Sequence, residues 1–191
     1  NSTYLVNSKM EEQSFFSKVR AMQNECLKMI IQPNRNNYHL EDLGLKIKQF
    51  DNGVYQRTDF AVSNRQGFSL ACSHFELQDN NLEGFETVEN SRKPLVLYCH
   101  SQSGCRLEGL HLLENCCNKK MNLLVFDFAG CGMSEGKYVT LGMFEVLDID
   151  IVIKTVENRF PFTALCIWGR SMGAVAAMRY VENNPTKVAG L

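Results

Sequence analysis

Apolar positions change their spacing twice along the chain. Between residues 8 and 31, Phe15, Val19, Met22, Cys26, Met29 and Ile30 recur at the three-to-four-residue spacing that lines one face of a helix. A helix packed on the body of the protein is expected there. A membrane-surface helix is the weaker reading, because Glu11 and Glu12 sit among the lysines. Gln32 to Leu45 is polar, contains one proline and reads as a linker. From Lys46 to Glu76 the pattern becomes that of strands. Asp51-Asn52-Gly53 and Asn64-Arg65-Gln66-Gly67 supply tight-turn signals between KIKQF, VYQRTDFAV and FSLACSHFE, which predicts an antiparallel meander. Residues 78–93 are polar and read as a long loop.

Beyond residue 94 three short runs, Leu95–Cys99, Asn122–Phe128 and Ala164–Trp168, are apolar almost throughout. They alternate with helical stretches at Leu107–Asn115, Leu141–Asn158 and Met172–Asn183. Continuously apolar strands are covered on both faces, so the alternation predicts an α/β fold with a parallel sheet between helical layers. Val188 to Leu191 reads as the beginning of a further strand. Two parts follow: a helix and linker over residues 1–45, and an α/β domain over residues 46–191. In such sheets ligands bind past the C-terminal ends of the strands, so the turns after the three apolar strands are where chemistry is expected.

Composition narrows the class of function. The chain has 191 residues, with 20 Lys and Arg against 21 Asp and Glu, a balance that gives no general pull toward nucleic acid. At 45% apolar content it can bury a core, yet no run is long enough for a transmembrane segment. Eight cysteines could form disulfides. Several lie inside apolar strands, however, no CxxC pair occurs, and the four histidines lack zinc-site spacing. Buried free thiols, a reducing and hence cytoplasmic compartment, and no metal or other cofactor are the expectation. The start at Asn1 and the incipient strand at the other end both suggest a piece of a longer protein.

The third apolar strand runs into Gly169-Arg170-Ser171-Met172-Gly173 and then an alanine-rich helix. In strand–turn–helix context, G-x-S-x-G puts a serine hydroxyl on a sharp corner, and the flanking glycines let strand and helix approach. The helix start behind Ser171 offers free N–H groups, making the Met172 N–H a candidate oxyanion donor. The first strand ends in His100-Ser101-Gln102-Ser103-Gly104, a turn of small residues that alone reads as a simple N-cap but, paired with Ser171 at the same sheet edge, reads as a second set of outward N–H groups for an oxyanion. The second ends in Asp127-Phe-Ala-Gly130-Cys-Gly132-Met-Ser134-Glu-Gly136. Its glycine spacing differs from a dinucleotide fingerprint, and Asp148 and Asp150 fall within a helix rather than at a strand end, so nucleotide binding is disfavoured.

The segments VLYCHSQSGCR, LLVFDFAGCGMSEG, TLGMFEVLDIDIVI and CIWGRSMGA, in this order, resemble the α/β-hydrolase superfamily, specifically serine-aminopeptidase-like hydrolases. The lead-in from IQPNRNNYHLEDLG resembles an uncharacterised plant and protist subgroup. The resemblance implies Ser171 as nucleophile and the N–H groups of Met172 and Gln102 as the oxyanion hole. Gly169 and Gly173 would shape the corner, and His100 would hold the first turn rather than act as base. Asp127, Gly130, Gly132 and Ser134 would form the neighbouring loop. Ser101 stands where these proteins usually have glycine, and would be strained if that position needs a positive φ.

In this fold the triad runs Ser, acid, His along the chain. After Ser171 only Glu182 is acidic, and no histidine follows. The acid and base are therefore expected beyond Leu191, and the 191-residue piece is expected to be inactive alone. The leading expectation is a serine hydrolase cleaving an ester, thioester or amide in a small or acylated substrate. The rival from another class is a non-catalytic α/β-hydrolase-like binding protein.

Overall fold

The structure is a computed structural model that describes residues 2–78 and 92–191. The loop expected over residues 78–93 lies, apart from its ends, outside the described residues. Helix α1 (Ser2–Ile31) is followed by a short 3-10 turn at Leu40–Leu43. The meander then forms β1 (Ile47–Phe50), β2 (Gly53–Ser63) and β3 (Ser69–Gln78). The turn into β3 closes because Gly67 adopts φ +83° while the Asn64 carboxamide oxygen accepts the N–H groups of Gln66 and Phe68. Next come β4 (Leu95–Cys99), a 3-10 stretch (Arg106–Leu112) continuing into α2 (Leu113–Asn118), β5 (Asn122–Phe126), α3 (Glu145–Arg159), β6 (Leu165–Gly169) and α4 (Met172–Asn183).

The strands form one sheet in the order β1-β2-β3-β5-β4-β6. The meander joins antiparallel through β3 to β5, while β5, β4 and β6 run parallel. Gly190 forms a parallel bridge to Cys166 on the outer side of β6, where the sequence predicts a further strand.

Period-two alternation sends each strand's side chains into two cores. Leu95, Leu97 and Cys99 of β4, with Leu124 and Phe126 of β5, pack against Ile149, Val152, Ile153 and Val156 of α3 and Ala176 and Tyr180 of α4. Val96 and Tyr98, with Leu123 and Val125, face Leu112, Leu113, Cys116 and Cys117 on the opposite side. Both faces are thus covered, and this burial is why β4 and β5 carry almost no polar residue. All eight cysteines are free thiols, and six of them are buried.

Two expectations need correction. Helix α1 forms, yet over residues 18–31 its apolar side chains are not buried on the body: only Val19 is part-buried, and Met22 and Met29 are 66% and 70% exposed. The sheet faces are already occupied by α2, α3 and α4, which leaves the apolar side chains of Met22, Met29 and Ile30 exposed among the described residues. The polar segment after it is also more than a spacer. Arg35 donates to the carbonyls of Gly132, Ser134 and Gly136, and Asn36 to that of Ser103. The Tyr38 hydroxyl donates to Asp127. The segment straps the turns after β4 and β5 together.

Candidate active site

The turn after β6 is built around one unusual backbone. Ser171 has φ +52° and ψ −116°, while Met172 begins α4. A non-glycine residue in this region is strained, and the glycines beside it hold the strain in place. A methyl group at Gly173 would lie 2.6 Å from the His100 carbonyl oxygen and closer still to that of Cys99, and one at Gly169 would lie 2.8 Å from the Gly173 carbonyl oxygen. Helix α4 therefore presses directly on the end of β4, and Arg170 N–H donates to Cys99 O at 3.0 Å. The corner at 169–173 and the turn at 100–104 consequently abut at one sheet edge. Ser171 is exposed there, and Met172 has its side chain in the core. Among the described residues, neither the Met172 nor the Gln102 backbone N–H donates to a protein acceptor.

The turn after β4 is held residue by residue. His100 is fully buried; its Nε2 accepts the Phe128 N–H at 3.0 Å, so Nδ1 carries the proton donated to Ser101 O at 2.7 Å. Burial lowers the His100 pKa, which keeps the ring neutral in this tautomer. With both ring nitrogens engaged, His100 is spoken for within the turn. Ser101 is not among the positive-φ residues, so the strain conditional on such a φ does not arise. Its hydroxyl donates to Glu108 Oε1 at 2.7 Å and its N–H to Glu108 Oε2 at 3.1 Å. Gln102 donates its side-chain amide to the Ile30 carbonyl at the end of α1, and its own carbonyl accepts the Cys131 thiol at 3.7 Å. Burial pushes that thiol up to about 12.

Glu108 is the residue that sequence reasoning missed here. Its carboxylate takes two bonds from Ser101 and one from the Tyr98 hydroxyl, and lies 3.9 Å from the Arg170 guanidinium, next to Ser171. One carboxylate thus touches both halves of the corner. Burial and this carboxylate together push the Tyr98 hydroxyl up to about 12. Only the position of Glu108 in the first turn of the following helix hinted at it, a placement too common to single out.

The loop after β5 is a buried polar assembly. Asp127 is wholly buried and accepts N–H bonds from Arg106 at 2.6 Å and Met133 at 2.9 Å, while the Arg106 guanidinium lies 3.7 Å away. The Ser134 hydroxyl donates to the Asp127 carbonyl and accepts the Ala71 N–H, stitching the loop to β3. Gly130 and Gly132 both have positive φ, and a methyl at Gly132 would collide with the Asp127 carboxylate. Asp148, weighed above for ribose binding, is buried and accepts bonds from Ala129 N–H and the Asn64 side chain; Asp150 pairs with Lys154 and Arg65. Among the described residues no three His, Cys, Asp or Glu side chains gather as metal ligands, and no helix is long and apolar enough to cross a membrane.

Residues 108–191 match the family described as serine aminopeptidase, S33. The uncharacterized protein YqkD of Bacillus subtilis is 27% identical over 134 residues, covering 70% of this chain and 43% of that protein. The lysophosphatidylserine lipase ABHD12 of Danio rerio is 27% identical over 142 residues, covering 69% and 36%. The chain therefore spans less than half the length of these curated relatives. Among solved structures, the esterase Pf2001 of Pyrococcus furiosus superposes with a TM-score of 0.60 at 22% identity, over 82% of this chain and 55% of that one. A sheet in which an antiparallel meander leads into parallel strands, a strained serine corner between β6 and α4, and these matches agree on an α/β-hydrolase fold, with residues 108–191 similar to the serine aminopeptidase S33 family.

Proposed function

We propose that the chain carries the nucleophile and oxyanion half of a serine hydrolase. Ser171 attacks the carbonyl carbon of an ester, thioester or amide, and the N–H groups of Met172 and Gln102 receive the developing oxyanion. The leaving group departs, and water then cleaves the acyl-enzyme. The observation that carries this reading is the Ser171 backbone at φ +52°. Glycine would occupy that conformation without strain, so a serine held there at a cost of roughly 1–3 kcal/mol argues for the hydroxyl itself. Relatives named as an esterase and a lysophosphatidylserine lipase favour carboxylic esters, lipid esters included, over amides.

Ser171 needs a base, and none of the four histidines is placed to serve. His100 is engaged in its turn, and His74 is buried under Phe160. His111 contacts the Glu108 carbonyl and the Tyr98 ring, and His39 precedes the 3-10 turn at Leu40–Leu43. In the α/β-hydrolase chain order the acid and then the histidine follow the serine. This want of a neighbouring histidine is also what favours the second reading, a non-catalytic binding protein.

A fluorophosphonate probe applied to the full-length protein decides between them. Labelling at Ser171, lost in Ser171→Ala, is expected; folded full-length protein that takes no label selects the binding protein. Gln102→Pro removes the backbone donor and is expected to lower kcat on the order of a hundredfold. Gln102→Ala keeps the donor and serves as its control.

A further inference from the structure

Gly104 is a glycine for a reason outside its own backbone. It is not among the positive-φ glycines, so no left-handed conformation requires it. What excludes a side chain is Glu108: a methyl at Gly104 would overlap the Glu108 carboxylate. The stretch that carries Glu108 lies directly on the sheet, because Gly109 has no Cβ to hold it off the Tyr98 and Val125 side chains. The carboxylate is thus seated, part-buried, in the space that Gly104 leaves beside the 100–104 turn.

Ser101 is held at its N–H, its hydroxyl and its carbonyl. The hydroxyl and N–H donate to the two oxygens of Glu108, at 2.7 and 3.1 Å. The carbonyl accepts the His100 Nδ1 proton at 2.7 Å and the Gly104 N–H at 3.0 Å. That carbonyl belongs to the same planar peptide unit as the Gln102 N–H, and in a trans unit the two point in opposite directions. Whatever fixes Ser101 therefore fixes the direction of the Gln102 donor. On the other half of the corner, Arg170 lies 3.9 Å from the same carboxylate. That pair is long and its guanidinium is 67% exposed, so it contributes little. The two charge-assisted bonds from Ser101 carry the hold.

We infer that Glu108 is a positioning residue for the oxyanion hole: seated against Gly104, its carboxylate grips Ser101 and so aims the Gln102 N–H. This deepens the serine-hydrolase reading and rests on it. Glu108 touches no reacting atom and acts through Ser101. An acid that only stabilised the turn would change the folded fraction and leave the chemistry of each folded molecule unchanged. A displaced oxyanion donor instead loses transition-state stabilisation while substrate binding persists, so the effect falls on kcat rather than KM.

Hydrolysis of p-nitrophenyl butyrate by the full-length protein, with Ser171→Ala as the blank, tests it. Glu108→Gln sets an amide N–H₂ against the Ser101 donors and is expected to lower kcat on the order of tenfold, with KM within about twofold. Ser101→Ala removes one bond and keeps the other; it is expected to lose less, and it carries the test where Glu108→Gln does not fold. Gly104→Ala drives the carboxylate aside and is expected to reproduce the Glu108→Gln loss, yet to add nothing in a Glu108→Ala background. Thermal melting and circular dichroism supply the folded fraction to which each kcat is normalised. Unchanged kcat per folded molecule in Glu108→Gln and Ser101→Ala overturns the proposal, as does a Gly104→Ala loss that persists without the Glu108 carboxylate. In either case Ser171-dependent turnover by the parent leaves the hydrolase reading standing. A parent that takes no fluorophosphonate and shows no Ser171-dependent turnover removes the hydrolase reading, and the positioning role with it.

Discussion

Single residues at the corner and in the core carry the sharpest predictions. Gly173→Ala forces a methyl against two β4 carbonyls. It is expected to lower stability by about 3 kcal/mol or prevent folding, as thermal melting will report. His74 is 1% exposed, neither ring nitrogen has a hydrogen-bond partner, and its ring stacks on Phe160 at 4.3 Å. Burial lowers its pKa to about 4. The unfolded chain then takes up a proton that the folded chain refuses, so stability is lost as pH falls from about 6.5 toward 4, with about 2 kcal/mol gone near pH 5. Asp148 acts in the opposite sense. Burial raises it to about 6, so its contribution is present below the ordinary carboxylate range and is lost as pH rises from about 4 through 6. In urea titrations across this range, His74→Leu is expected to stabilise relative to the parent as the solution is acidified. Asp148→Asn is expected to do so as pH rises. Parallel pH profiles for parent and variants would refute both assignments.

Among the elements, those with one dominant signal were legible in advance. β4 and α4 fall where apolar runs and helical spacing put them, because burial on both sheet faces dictates the first and a stripe facing one layer the second. The stretch after β4 is instead 3-10 before it becomes α2, and α3 starts at Glu145 rather than Leu141. Leu141 and Gly142 have positive φ, and the Glu145 carboxylate holds the turn through Thr140 and Gly142 N–H groups, a capping arrangement that periodicity does not report. The strap over residues 35–38 was illegible for a related reason. A polar segment without periodicity looks like a spacer until its partners, carbonyls about a hundred residues away, are brought beside it. Arg35→Ala is expected to cost about 2 kcal/mol, with Arg35→Lys recovering only part, since one ammonium cannot reach three carbonyls as a guanidinium fork does. Unchanged melting of Arg35→Ala would show that the strap is not fastened there.

For the molecule as a whole, the positions of the histidines carry one more expectation. The 191-residue chain on its own should turn over no activated ester above background, because none of the four imidazoles is placed to take the Ser171 proton: His100 is engaged at both ring nitrogens and His74 is buried against Phe160. Hydrolysis by this chain that disappears in Ser171→Ala would overturn it. What the sequence determined by itself is what local sterics and burial dictate: the strand–turn–helix corner at Gly169–Gly173, the meander, and the two-faced apolar strands. Each follows from residues adjacent in the chain. Only the tertiary structure decided which turns meet, that Glu108 bridges Ser101 and Arg170, and that the strap clamps the turns after β4 and β5. It also decided that α1 keeps Met22, Met29 and Ile30 in the open. Those outcomes depend on which surfaces the sheet and its covering helices leave unoccupied, and no spacing along one chain encodes that competition for space.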